Sequence, residues 1–210
     1  MFKVIRSTFL IGVNFFLMKD QSPKAGMLYI ALLHYPVINK EGKVVATAIA
    51  NMDLHDIART AKTFGVEKFY VINPIEAQRR LAGQIISHWR EGYGAAYNPS
   101  RKDAFEKVEI KSDLDEVLAE IKIVSNCKPR IIVTGANFQG ELLTCVKLRE
   151  VIKSNHLPYL LIFGTGSGIA DEVVKQADYR LEPIRGKDGY NHLAVRSAVA
   201  VILDRVVEIS

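Results

Sequence analysis

Short apolar runs of strand character alternate with amphipathic helical stretches from Met27 onward, and this alternation restricts the fold more than any other feature. A strand buried on both faces reads as a continuous apolar run, and parallel neighbours need a long crossover that a helix can supply. The pattern predicts an α/β fold: a mostly parallel sheet with helices on both faces, in a single domain over residues 27–210. Residues 28–33, 68–72, 108–110, 130–133, 158–163 and 178–182 read as strands, while 43–50 is open between strand and extended loop.

The helices carry their own punctuation. Leu54, Ile57, Ala58, Ala61 and Phe64 fall on one helical face, with Asp53 as the expected cap and Gly65 as the stop. Asn73-Pro74 predicts a cap followed by proline at the first position of a helix running to about Trp89. Residues 91–99, rich in Gly, Tyr and Pro, cannot continue that helix and read as an ordered loop. Ser112 and Asp115 form a capping-box pattern before Leu114, Val117, Leu118 and Ile121. Helices over 141–154, 169–177 and 191–207 complete the series. The last is apolar on more than one face, so its burial by the domain and by a second subunit is expected.

Residues 1–26 stand apart. Lys3 and Arg6 precede an apolar run from Thr8 to Met18, but Lys19, Asp20, Gln21, Ser22 and Pro23 follow it instead of a small-residue cleavage site. The run is shorter than the ~20 apolar residues that span a bilayer. It reads as an N-terminal extension, poorly ordered or docked, with secretion and membrane insertion disfavoured. Cys127 and Cys145 have neither metal-ligand nor redox spacing and read as thiols of a reducing, cytoplasmic compartment. His34, His55 and His156 show no metal spacing, so no metal is expected and these histidines read as structural. Lys and Arg outnumber Asp and Glu by 28 to 23, a net charge of +5 that is compatible with a polyanionic partner.

Two segments can carry chemistry. Phe163-Gly164-Thr165-Gly166-Ser167-Gly168 lies between an apolar strand and a helix, where glycines let backbone approach a ligand closely. It is open between a tight structural turn and a ligand loop. A dinucleotide fingerprint would need glycine where Ile169 stands, and no P-loop pattern is present. The second segment, Leu181-Glu182-Pro183-Ile184-Arg185-Gly186-Lys187-Asp188-Gly189-Tyr190-Asn191-His192-Leu193, is a polar, glycine-punctuated loop after the next strand. Together they would place two ligand-shaping loops on the carboxyl edge of one sheet, where α/β proteins bind small molecules.

These two segments, with Ala194-Val195-Arg196-Ser197-Ala198 continuing the second, resemble the C-terminal motifs of SPOUT (α/β-knot) RNA methyltransferases, in particular a bacterial group related to tRNA (guanine-N1) methyltransferase. Asp56-Ile57-Ala58-Arg59-Thr60-Ala61 and Phe64-Gly65-Val66 resemble the N-terminal motif of the superfamily's ribose methyltransferases. The resemblance implies a C-terminal trefoil knot, a homodimer with a shared pocket, and S-adenosyl-L-methionine held largely by backbone. The implied cofactor residues are Thr134, Gly135, Phe163, Gly164, Thr165, Gly166, Gly168, Ile184, Gly186, Asn191 and Leu193. Arg59 falls where the ribose enzymes place a catalytic arginine, and Asp188, His192 and Arg196 are candidates for base, proton shuttle and phosphate ligand.

The chain departs from the ribose pattern at two points. The glycine motif lacks a Glu, and Ala194 takes the place of an Asn. Both departures favour methylation of a base in tRNA or rRNA over a ribose 2′-oxygen; a catalytically inactive knotted RNA- or nucleotide-binding module is the alternative. For RNA contact, basic and aromatic residues interleave at Arg79, Arg80, His88, Trp89, Arg90, Tyr93, Tyr97, Arg101 and Lys102. Cations can track phosphates while a ring stacks on an unpaired base. A solvated helix face with packed tyrosines would look the same in sequence.

Overall fold

A computed structural model describes residues 26–207, so the expected N-terminal extension lies outside the described residues except for Gly26. Strands β1 (Met27–Leu33), β4 (Phe69–Ile72), β5 (Val108–Lys111), β6 (Arg130–Val133), β7 (Pro158–Gly164) and β8 (Tyr179–Arg180) form one sheet. Its order is β5-β4-β1-β7-β6-β8, and every pairing is parallel. The α/β expectation is met. A small antiparallel hairpin, β2 (Val37–Ile38) with β3 (Val44–Val45), stands at the carboxyl edge and resolves the ambiguous 43–50 stretch into a short strand and a loop.

Side-chain alternation along β1 divides the core. Leu28, Ile30 and Leu32 face helices α1 (Asn51–Thr63), α2 (Glu76–Arg90), α4 (Pro99–Phe105), α6 (Cys145–Ser154) and α8 (Val195–Val206). Tyr29, Ala31 and Leu33 face α5 (Leu114–Ser125) and α7 (Asp171–Val174). Successive residues of a strand point to opposite faces, so a seven-residue apolar run feeds two cores at once.

Several local expectations shift. Helix α1 begins at Asn51 with Ala50 as an N-cap that makes no side-chain bond; Asp53 lies inside the first turn and does not cap it. The second helix starts at Glu76, and Asn73 instead donates from Nδ2 to the Thr47 carbonyl while accepting from the Ile75 N–H. The Oδ1 that a cap would offer to the helix is taken by the Ile75 N–H ahead of it, while Nδ2 ties the segment to the Thr47 loop. The capping box moves by one residue: Asp113 accepts from the Glu116 N–H at 2.9 Å, and Glu116 accepts from the Ser112 N–H. The expected loop 91–99 contains a five-residue helix, α3 (Tyr93–Tyr97), and Pro99 opens α4. Helix α6 starts at Cys145, α7 spans only four residues, and α8 starts at Val195 and not at residue 191.

Ile30 is 0% exposed at the sheet centre whereas Ile123 is 82% exposed on α5. Ile30→Ala therefore lowers unfolding stability by about 2–5 kcal/mol in urea titrations, and Ile123→Ala by less than about 0.5 kcal/mol.

Candidate active site

The carboxyl ends of β6, β7 and β8 lie side by side, and the loops that leave them enclose one cavity of about 980 Å³. Thr134, Gly135, Ala136 and Asn137 come from the first loop, 163–168 from the second, and Glu182, Pro183, Ile184, Asn191, His192 and Leu193 from the third. The first and third loops are tied by the Asn191 side-chain amide, which donates to the Ala136 carbonyl. Ten of the eleven residues expected to hold the cofactor line this cavity; Gly186 does not.

The glycine loop follows a path only glycine tolerates at its tip. Gly166 has φ +63, and a Cβ there would lie 2.8 Å from the Ile38 carbonyl oxygen. The close approach exists because the loop is stitched to the hairpin: Ser167 N–H donates to the Ile38 carbonyl and Ile38 N–H donates to the Gly168 carbonyl. Apolar side chains of Phe163, Ile184, Leu193, Val195 and Ile202 and loop backbone share the wall. A purine nucleoside with a charged tail needs this combination, flat apolar surface beside backbone donors and acceptors.

On the other side of the glycine loop the cavity is bounded by residues that the sequence did not single out for function: His34, the hairpin, Thr47, Ala48 and Asp53. His34 is 1% exposed, and its Nδ1 lies 2.9 Å from Thr47 Oγ1. Thr47 Oγ1 contacts Thr165 Oγ1, which donates to the Leu33 carbonyl. Each hydroxyl has one hydrogen, so a single assignment serves all three contacts. Thr165 gives its hydrogen to Leu33, Thr47 gives its own to Thr165, and His34 Nδ1–H donates to Thr47. Nε2 is then a bare acceptor, and it has no hydrogen-bond partner among the described residues. Burial disfavours the imidazolium and lowers the His34 pKa to about 4.

The candidate catalytic residues separate. His192 lines the cavity, exposed, with its ring edge-to-face on Tyr190 at 5.6 Å. Asp188 is exposed in the outer part of the third loop with φ +59 and does not line the cavity. Arg196 is engaged at the start of α8: its Nη1 is 3.3 Å from Asp53 Oδ1 and its Nε 3.6 Å from Asp56 Oδ2. Arg59 is exposed on α1 and outside the cavity lining.

The expected RNA-contact residues separate too. Trp89 packs at 5.3 Å from His55 and 6.3 Å from Phe105, with the Arg101 guanidinium 4.5 Å over its ring. Burial, then Arg101, lowers the His55 pKa. Arg79 donates to the carbonyls of Asn73 and Pro74, and Arg90 donates to those of Phe105 and Val108. Arg80, His88 and Lys102 face solvent, as do Tyr93 and Tyr97, whose rings stack at 6.0 Å. Among the described residues no group of His, Cys, Asp and Glu could hold a metal, and no helix is long and apolar enough to cross a membrane.

Residues 27–208 match a family model described as SAM-dependent RNA methyltransferase, and the chain belongs to that family. A tRNA (guanine-N(1)-)-methyltransferase of Oleidesulfovibrio alaskensis is 43% identical over 188 residues, which are 90% of this chain but 44% of that protein. An uncharacterized protein of Aquifex aeolicus is 40% identical over 85% of this chain and 87% of its own length. The chain thus spans less than half of the first relative and most of the second. The SpoU methyltransferase AviRb of Streptomyces viridochromogenes, solved in complex with AdoMet, shares the fold with a TM-score of 0.54 at 14% identity, covering 88% of this chain and 58% of that one. S-adenosylmethionine is the cofactor of the family, and the three-loop cavity fits it.

Two outcomes follow from this geometry. Gly166→Ala forces a Cβ onto the Ile38 carbonyl at a positive φ, so calorimetry should show S-adenosylmethionine binding at least about tenfold weaker than in wild type. For His34, the folded-state pKa lies below the unfolded 6.5, so the unfolded chain binds more protons in acid. Its contribution to stability is complete above pH 6.5 and is lost as pH falls toward 4, on the order of 3 kcal/mol. His34→Gln should flatten unfolding stability over that window in pH-dependent urea titrations.

Proposed function

We propose that residues 27–210 act as a single knotted domain that methylates a nucleobase of tRNA or rRNA in the cytoplasm, as a homodimer. The observation that carries this reading is the convergence of three loops, from adjacent parallel strands, on one cavity in a chain of this family. S-adenosylmethionine supplies an electrophilic methyl group on a sulfonium. The protein's share is to hold the acceptor in line with that carbon, to exclude water and to take up a proton where the acceptor carries one.

The base reading is supported by the glycine loop, which contains no carboxylate, and by Ala194 at the entry to α8. The name of the Oleidesulfovibrio alaskensis relative is consistent with it, although the match covers 44% of that protein. Arg80, His88 and Lys102 together with the exposed Tyr93–Tyr97 pair offer phosphate ligands and a stacking surface on one side of the domain. His192 is the cavity-lining candidate for proton transfer, and Asp188 belongs to the same loop.

A homodimer accounts for two features at once. Met52, Tyr190 and Leu193 leave apolar surface exposed next to the cavity. Arg59 lies outside the cavity of its own chain, and in the dimer it serves the cavity of the second copy.

Tritiated methyl transfer to bulk RNA from cells lacking the gene tests the activity; absence of label at saturating cofactor favours the inactive binding module. Arg59→Ala should lower transfer by about a hundredfold while leaving S-adenosylmethionine affinity unchanged. Mixing Arg59→Ala subunits with Gly166→Val subunits should restore activity to about a quarter of wild type, since half the dimers then carry one complete site. No recovery in verified mixed dimers would remove Arg59 from the partner's site.

A further inference from the structure

Asp53 has a setting that its sequence position in the first turn of α1 does not suggest. It is 8% exposed, and it belongs to the wall of the same cavity. Two carboxylates line the cavity among the described residues, Asp53 and Glu182. Glu182 is committed to structure, because its Oε1 accepts from the Cys145 backbone N–H at 2.9 Å. Asp53 is committed on one side only. Its Oδ1 faces Arg196 Nη1 at 3.3 Å, and its other oxygen makes no hydrogen bond among the described residues.

The ion pair orients the carboxylate, and Arg196 is in turn steadied by Asp56 at 3.6 Å. The amino end of a helix also favours a negative charge in its first turn. An oriented anion with a free oxygen on a cavity wall accepts hydrogen from a donor and repels a lone pair.

We infer that Asp53 is the catalytic residue that receives the acceptor base, and that it selects a nucleobase whose methylated ring nitrogen carries hydrogen, as guanine N1 and uracil N3 do. The inference rests on the base-methylation reading above. The free Asp53 oxygen accepts the ring N–H and takes that proton as the nitrogen bonds to the methyl carbon. The N–H electron pair stays on nitrogen, the carbon–sulfur pair leaves with sulfur, and the cationic sulfonium and anionic carboxylate become a neutral thioether and a neutral acid. Adenine N1 presents a lone pair to the same oxygen and is rejected.

The test has a binding arm and a product arm. Wild type saturated with S-adenosylhomocysteine is titrated with GMP, UMP and AMP and followed by NMR line shifts. At least one of the two N–H nucleotides should bind five-fold or more tightly than AMP, and the preference should vanish in Asp53→Asn. Asp115→Asn, which changes an exposed carboxylate in the first turn of α5 away from the cavity, should keep it. Equal binding of all three by wild type overturns the inference, and so does an undiminished preference in Asp53→Asn. In the product arm, RNA from cells lacking the gene is methylated and digested to nucleosides. N1-methylguanosine or 3-methyluridine, with transfer lowered at least about a hundredfold in Asp53→Asn at unchanged S-adenosylhomocysteine affinity, is the expected result. A methylated adenine, or full transfer by Asp53→Asn, sinks the assignment while base methylation stands. Label on ribose, or none at all, sinks the base-methylation reading itself.

Discussion

The parallel pairing of β1 with β7 is the constraint on which the rest of the molecule depends. Seven residues of each strand align, from Met27 opposite Pro158 to Leu33 opposite Gly164, although about 130 residues separate them in the chain. The pairing buries both strands on both faces and brings the first and last thirds of the protein together. It also ends both strands at one level. His34 and Thr165 therefore emerge beside each other, and every loop that lines the cavity starts from that edge or packs on it. A parallel sheet presents all its carboxyl ends on one side, so a ligand there can be reached by consecutive loops without a change in topology.

Hydrogen bonds then convert this edge into a shaped wall. The hairpin 37–45 lies along the glycine loop, and the His34–Thr47–Thr165–Leu33 chain joins the two sides through side chains. His34 is buried and so has few alternative partners, and an unmade bond there costs about 1–3 kcal/mol. The third loop is joined to the first through Asn191, and α8 that follows it is joined to α1 through Arg196. The same cation that reads as a phosphate ligand in sequence is, in the folded chain, an organiser of Asp53 and Asp56. Positioning one carboxylate on a cavity wall takes two helices remote from one another in sequence, α1 and α8.

Some of this was legible before folding was considered. The glycine motif and the loop from 181 to 193 stand out in the sequence, and ten of the eleven residues expected to hold the cofactor line one cavity. Their legibility comes from backbone demands: where φ must be positive or a carbonyl lies 2.8 Å from a would-be Cβ, only glycine is admitted, so the constraint is written in residue type. His34 and Asp53 left no such mark. A histidine after an apolar run is equally good as a packed side chain, and an aspartate at the start of a helix is equally good as a cap. The aromatic and basic stretch around Trp89 was ambiguous for the same reason, because a ring and a cation side by side serve a core as readily as a nucleic acid. Packing assigns Trp89, Arg79, Arg90 and Arg101 to internal partners and leaves Tyr93 and Tyr97 at 77% and 74% exposure.

By itself, the sequence determined the α/β class, most of the helices and strands, and two of the loops that line the cavity, because apolar periodicity and glycine requirements are properties of a residue and its near neighbours. Tertiary structure alone decided strand order, which cations were free, and which titratable groups met at the cavity. Those depend on contacts between residues such as Arg196 and Asp53, 143 positions apart. No local pattern encodes a contact of that range, because the energy that selects it is released only when the whole sheet has formed.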